Sequence, residues 1–257
     1  MSTSAIYDAV FNIVKDRAGK GKLCLLDIGA GRGELLKKLS SGLDVMPYAC
    51  DYHVERFELS VPIEKVNLNK DTLPYKDCTF DVVTCSEVIE HVENFHSMLR
   101  EANRVLKKGG LFVVTTPNVL NMKSRLRFFV SGFFNLFGPL PVKNEKLYST
   151  GGHITPVPYF YLAHALTDMD FSGIGLDIDR YQRTSLFILL LALPVLLPGW
   201  IYFLRTERGK YKTMGPENEP MVKRNFSLSL LAGRTIIVSA VKARQGGPSP
   251  PFAGASS

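Results

Sequence analysis

The segment LCLLDIGAGRGELLKKL (23–39) constrains the fold more than any other part of the chain. A short apolar run ends in glycine, two further glycines follow at alternate positions, and a helical pattern begins directly after them. Gly29, Gly31 and Gly33 therefore sit between a buried strand (23–29) and a helix (33–43) stopped by Gly42. Glycine accepts left-handed backbone and lets a ligand approach the main chain closely. A tight strand-to-helix turn with no ligand is the competing reading, because alternate glycines alone are a weak signal.

Further short apolar segments repeat the theme. VMPYACD (45–51), VPIEKVN (61–67), DVVTCS (81–86), LFVVTTPN (111–118), GIGLDID (173–179) and TIIVSAVKA (235–243) read as the second to seventh strands, with Pro47 marking an edge or an irregular start. Helical spacing predicts helices over 5–16, 93–110 and 159–171. In the second of these, Phe95, Met98, Leu99, Ala102, Val105 and Leu106 form one apolar stripe. Lys107 and Lys108 suit its C-terminal end, and Gly109–Gly110 supply a stop. Apolar strands alternating with helices predict a parallel sheet covered on both faces. The expected fold is thus an α/β, Rossmann-like, doubly wound seven-stranded sheet.

A content of 46% hydrophobic and 21% charged residues excludes wholesale disorder, and a net charge of +7 favours anionic partners. The first residues show no signal-peptide run, which places the bulk of the chain in the cytoplasm as an expectation. Cys24, Cys50, Cys78 and Cys85 lack C-x-x-C spacing and no histidine cluster accompanies them. They read as reduced thiols, with no metal expected.

Two carboxylates sharpen the glycine loop. Asp27 closes the first strand, and Asp51 ends the second, where a carboxylate can accept both hydroxyls of a ribose. A dinucleotide fingerprint wants glycine at position 34, where Glu34 stands, and no Gly-Lys-Ser/Thr follows as a phosphate loop requires. The expected ligand carries an adenosine-like ribose and no pyrophosphate.

LLDIGAGRGELL, then ACD, then LPYKDCTFDVVTCSEVIEHVENFHSMLREANRVLKKGGLFVVTTPN resembles the class I S-adenosylmethionine-dependent methyltransferases, of the type 11 group, over roughly residues 20–180. The resemblance implies S-adenosyl-L-methionine as cofactor. It implies that Asp27, Gly29 and Gly31 line the methionine end, Asp51 holds the ribose, Asn67 and Leu68 flank the adenine, and Ser86 lies near the sulfonium. Gly33 completes the glycine loop. The chain departs from the group in carrying Asn67 where aspartate is frequent, and in a short connection from Tyr52 to Ser60.

A methyl acceptor that is a hydroxyl must lose its proton. His91, in SEVIEHVENFH, follows the fourth strand at the sheet edge where such folds bind ligands, and an imidazole pKa of about 6.5 suits a base. Glu87 and Glu90 are second carboxylates, His96 points away, and His153 in STGGHITPVPYF could close over the site. Structural roles for His91 and His153, as a helix-start and a loop histidine, compete with these. Cys85 reads as packing.

LFILLLALPVLLPGWIYFL (186–204) is uncharged and about long enough to cross a bilayer. It lies in an insertion (180–233) before the last strand, and a single crossing would strand the seventh strand on the wrong side. The expectation is an apolar hairpin, bent at Pro194, Pro198 and Gly199, that dips into one leaflet. Arg180, Arg183, Arg205, Arg208, Lys210 and Lys212 flank it. Lys123, Arg125 and Arg127 precede Phe128, Phe129, Phe133, Phe134 and Phe137 as a second interfacial patch, and a buried hairpin is the alternative. The expected organisation is a methyltransferase domain over 1–244 and a disordered tail over 245–257. The expected function is O-methylation of a glycan, glycolipid or lipid-linked acceptor at the cytoplasmic membrane face, monotopic or peripheral through 186–204. Alternatives are methylation of a quinone or other prenylated small molecule, and a non-catalytic membrane scaffold. Nucleic acid is not an expected partner, since TCSEVIEHV replaces the Asn/Asp-Pro-Pro-Tyr/Phe signature of base-modifying enzymes.

Overall fold

A computed structural model describes residues 4–17, 21–140 and 152–244. The 245–257 tail expected to be disordered lies outside the described residues. The strands are β1 (Leu23–Ile28), β2 (Val45–Asp51), β3 (Ile63–Lys65), β4 (Phe80–Ser86), β5 (Leu106–Pro117), β6 (Phe171–Ile178) and β7 (Thr235–Lys242). They form one sheet in the order β3-β2-β1-β4-β5-β7-β6. Residue-by-residue alternation along the strands builds two cores. Leu25, Val82 and Val113 face α1 (Ser4–Arg17) and α2 (Glu34–Gly42), meeting Val10, Leu36 and Leu39. Leu26, Val83, Phe112 and Val114 face α3 (Phe95–Val105) and α5 (Tyr159–Asp168), meeting Met98, Leu99 and Leu162.

The sheet is mixed where a parallel one was expected. β7 runs antiparallel to both β5 and β6. The physical reason lies in the stem of the 180–233 segment. Gln182 donates its amide to the Ala232 carbonyl at 2.8 Å, and Arg234 donates to the Arg180 carbonyl at 3.0 Å. The chain leaves β6 and re-enters β7 at one point, which makes the two strands a hairpin with a long excursion.

Two local expectations also change. α3 stops at Val105 rather than Gly110, because Leu106 already pairs with Phe80 and is fully buried in β5. Lys107 meets Asp81 at 2.8 Å instead of capping a helix. Pro47 sits inside the sheet, paired with Leu25 of β1, yet β3 reaches only Ala49–Asp51. At Pro47 the β3 side is open, so no ladder donor is missed there.

The expected apolar hairpin within 186–204 is not formed. α6 (Arg183–Thr206) runs unbroken through Pro194 and Pro198 and passes into a π-type turn, Glu207–Tyr211. The prolines stand four residues apart, both at exposed positions. Ser185, Ile188, Leu189, Ala192, Leu196 and Trp200 form the partly covered stripe. This stripe lies towards α4 (Met122–Ser131) and α8 (Leu228–Ala232). Ser185 bonds to Asn121 at 3.2 Å near one end, and Trp200 stacks on Phe226 at 5.2 Å near the other. The return to β7 is made by α7 (Glu219–Arg224) and α8.

Candidate active site

The C-terminal ends of β1, β2 and β4 open onto a cleft of about 530 Å³, inside the range of about 300–1,000 Å³ usual for small-molecule sites. Its floor is the glycine turn. Gly29, Gly31 and Gly33 all have positive φ, at 71°, 55° and 85°. Gly29 and Ala30 donate to the Cys50 carbonyl at 2.8 and 3.2 Å, holding the turn against β2. A side chain at Gly29 would collide with Val88, whereas one at Gly31 would project into open space. Gly33 packs under Phe57 and Leu59 and opens α2, so it shapes the turn without lining the cleft.

Asp51 anchors this floor. Its Oδ2 accepts the Gly31 amide at 2.8 Å and its Oδ1 accepts the His53 amide at 2.6 Å. A carboxylate offers about four acceptor positions, so capacity remains towards the cleft. Asn67 and Leu68 line the next wall. The Asn67 side-chain oxygen, expected to meet an adenine, already accepts the Asn69 amide at 3.1 Å. Tyr52, His53 and Arg56 complete that end, the last from a 3-10 turn over Val54–Arg56 in place of a helix.

Asp27 lies behind the cleft rather than on it. It is buried, accepts the Thr84 hydroxyl at 2.7 Å, and loss of solvent pushes its pKa up to about 7. Ser86 also lies off the cleft lining, its hydroxyl 3.1 Å from that of Thr115. Cys85 is fully buried and burial raises its pKa strongly, in keeping with packing.

The other end of the cleft is built where β4 stops. Glu87 takes φ 55°, a conformation rare for side-chain-bearing residues, and turns the chain into a 3-10 turn at Ile89–His91. The Thr115 hydroxyl accepts the Glu87 amide at 3.0 Å and donates to its carboxylate at 3.1 Å. Burial moves the Glu87 and Glu90 carboxyls upward and the His91 and His153 imidazoles downward, His153 to about 4. The irregular strap at 152–155 is sewn onto this turn. Ile154 and Thr155 donate to the Glu90 carbonyl at 2.9 and 3.1 Å, and the Thr155 hydroxyl donates to the Val92 carbonyl at 2.6 Å. His91 and His153 consequently meet edge to face, 4.9 Å apart, in the cleft wall. Of the expected site residues, Gly29, Gly31, Asp51, Asn67, Leu68, Glu87, His91 and His153 share one cleft.

The family described as methyltransferase domain matches residues 26–114, which hold the glycine turn, Asp51, Glu87 and His91. That stretch, less than half of the chain, is similar to methyltransferase domains. An uncharacterized protein of Methanocaldococcus jannaschii is 30% identical over 144 residues, 55% of this chain and 61% of its own length. A ubiquinone biosynthesis O-methyltransferase of Glaesserella parasuis is 32% identical over 107 residues, 37% of this chain and 45% of its own. The chain thus spans about half the length of the curated relatives it matches. A solved SAM-dependent methyltransferase from Archaeoglobus fulgidus superposes with a TM-score of 0.55 at 17% identity, over 92% of this chain and 94% of its own, which establishes a shared fold.

The cleft fits S-adenosylmethionine by its own geometry. Gly31 leaves room against the main chain, and Asp51 presents acceptors at the end of β2 where ribose hydroxyls would arrive. Among the cleft residues, Tyr52, His53, Arg56, Asn69, Val88 and Val92 were not singled out from sequence. The only local signal for the first three is that they lie within five residues after Asp51.

Proposed function

We propose that the chain is an S-adenosylmethionine-dependent methyltransferase that takes its acceptor from a lipid surface. The observation that carries the reading is the anchored glycine turn: Asp51 holds the Gly31 amide at 2.8 Å beside open space. The bound cofactor would supply an activated methyl group on a sulfonium. Gly29, Gly31 and Asp51 would seat it, with Asn67 and Leu68 beside the base. The acceptor would then enter at the Glu87, His91 and His153 end. Burial lowers the pKa of both imidazoles, which favours the neutral ring with a free lone pair at this end.

The lipid surface is supported by α6 and α4. Residues 183–211 are long and apolar enough to span a bilayer, and none of their apolar window is buried. Both ends of α6 are tied to the body, at Ser185 and at Trp200, so in this reading the helix lies along the membrane instead of crossing it. Leu190, Leu191, Val195 and Tyr202 are exposed, as are Phe129 and Val130 on α4. With basic residues at both ends of α6, the membrane would be anionic and on the cytoplasmic side.

For the acceptor, a prenylated small molecule of the quinone type stands ahead of a glycan or lipid-linked sugar, because a relative's name refers to ubiquinone biosynthesis. The testing experiment is calorimetric titration of S-adenosylmethionine into the wild type and Asp51→Ala. Micromolar binding lost in the variant supports the reading. A folded wild type that binds none would leave a membrane scaffold instead.

A further inference from the structure

Glu90 is an unusual residue for the interior. It is fully buried, and only its Oε2 has a partner, the Thr116 hydroxyl at 3.1 Å. Oε1 has none. A second buried atom close by, His153 Nδ1, also lacks a partner among the described residues. Leaving such atoms unpaired costs about 1–3 kcal/mol each, and two in one place point to a shared missing partner. A neutral imidazole nitrogen and a carboxylate oxygen can both act as lone-pair donors. A hydrogen-bond donor or a cation would satisfy either.

His91 completes the set. Its Nδ1 lies 3.0 Å from the Gly152 carbonyl, which can only accept, so the proton sits on Nδ1 and the Nε2 lone pair is left for other use. This is the outer-sphere arrangement that orients metal-ligating histidines. One donor atom from each of Glu90, His91 and His153 falls within 4.8 Å of the others. Ligand distances of about 2.0–2.2 Å to a common ion need donors roughly 3–4 Å apart, a small contraction.

We infer that Glu90, His91 and His153 form a divalent-cation site, with two imidazoles and one carboxylate as ligands and its open side towards the cleft. Two nitrogens and one oxygen suit zinc, manganese or ferrous iron better than magnesium or calcium. His91 and His153 line the cleft while Glu90 stands behind them, so an ion here would face an acceptor oxygen from below. This consequence rests on the proposed methyltransferase reading; the site itself does not. Such an ion would bind and acidify an acceptor hydroxyl, replacing a free imidazole as the means of removing its proton.

The test measures metal uptake without cofactor or acceptor, so it is separate from the test of methyltransfer. The full chain, stripped with chelator, is dialysed against Zn²⁺ and against Mn²⁺, and bound metal is counted. Co²⁺ loading adds a visible spectrum that reports nitrogen–oxygen coordination. The expected result is one ion per chain, with affinity at least about tenfold weaker in Glu90→Gln and in His153→Ala. The exposed His96→Ala should leave it unchanged. Since Glu90 is buried and its variant could misfold, His153→Ala with circular dichroism decides alone if needed. Uptake below one ion by folded wild type, or affinity untouched by His153→Ala, would overturn the site.

Discussion

Gly31 and Asp51 belong to different strand ends, and the Gly31 amide donates to Asp51 Oδ2 at 2.8 Å. One carboxylate thus fixes the loop at the end of β1 and the first residues after β2, through His53. The same oxygens face the cleft, so structural and binding roles can be separated by a mild change. Asp51→Asn keeps one acceptor oxygen. It should fold with a stability loss of about 1 kcal/mol yet weaken S-adenosylmethionine binding at least tenfold. Urea melts and calorimetry on the same samples check both.

The two glycines of the floor should respond differently to alanine. At Gly29 the new carbon would stand 2.2 Å from Val88 Cγ2, on backbone at φ 71°. Overpacking and strain together predict a loss of about 2–4 kcal/mol. Gly31→Ala meets nothing and should cost only about 1 kcal/mol, while obstructing the cleft. Denaturant midpoints should therefore rank Gly29→Ala lower, and ligand titration should find Gly31→Ala folded but impaired.

Asp27 makes stability depend on pH. Its pKa rises from 3.8 to about 7, chiefly because burial disfavours the charged form. The folded state then holds a proton that the unfolded state has released between those values. Its contribution is complete below about pH 4 and is lost as pH rises through about 7, after which it is flat. Asp27→Asn should gain stability relative to wild type at pH 8 by a few kcal/mol, and little at pH 4. The variant keeps an oxygen for Thr84. Equal wild-type and variant slopes between pH 5 and 8 would contradict the prediction.

The outward face of α6 should matter for lipid and hardly at all for folding. Leu191 and Val195 are 66% and 78% exposed. Leu191→Asp with Val195→Asp should shift stability by less than about 1 kcal/mol and reduce co-sedimentation with anionic vesicles severalfold. The chain has one tryptophan, Trp200, placed on this helix. It stacks on Phe226 on the covered side, so its emission should report that both proteins are equally folded.

The strands, the glycine turn and Asp51 were legible because each is a local pattern. β2 spans the expected residues, and the remaining strands mostly differ from expectation by a few terminal residues. The errors share a cause. Where α3 gives way to β5 depends on Leu106 finding Phe80, twenty-six residues away, and helical periodicity cannot see that pairing. The prolines of α6 signalled a break, but the helix continues through both.

By itself the sequence determined which segments are strands, that glycine and aspartate share the strand ends, and that one long apolar stretch lies outside the regular alternation. Periodicity and backbone preference act over a few residues, so a linear reading reaches them. Tertiary structure alone decided the direction of β7, the covering of one α6 stripe by Trp200–Phe226 stacking, and the meeting of His91 with His153. These rest on which distant surfaces pack together. The strap at 152–155 is a loop until its amides find the Glu90 carbonyl, and only that pairing brings two imidazoles beside a buried, half-satisfied carboxylate.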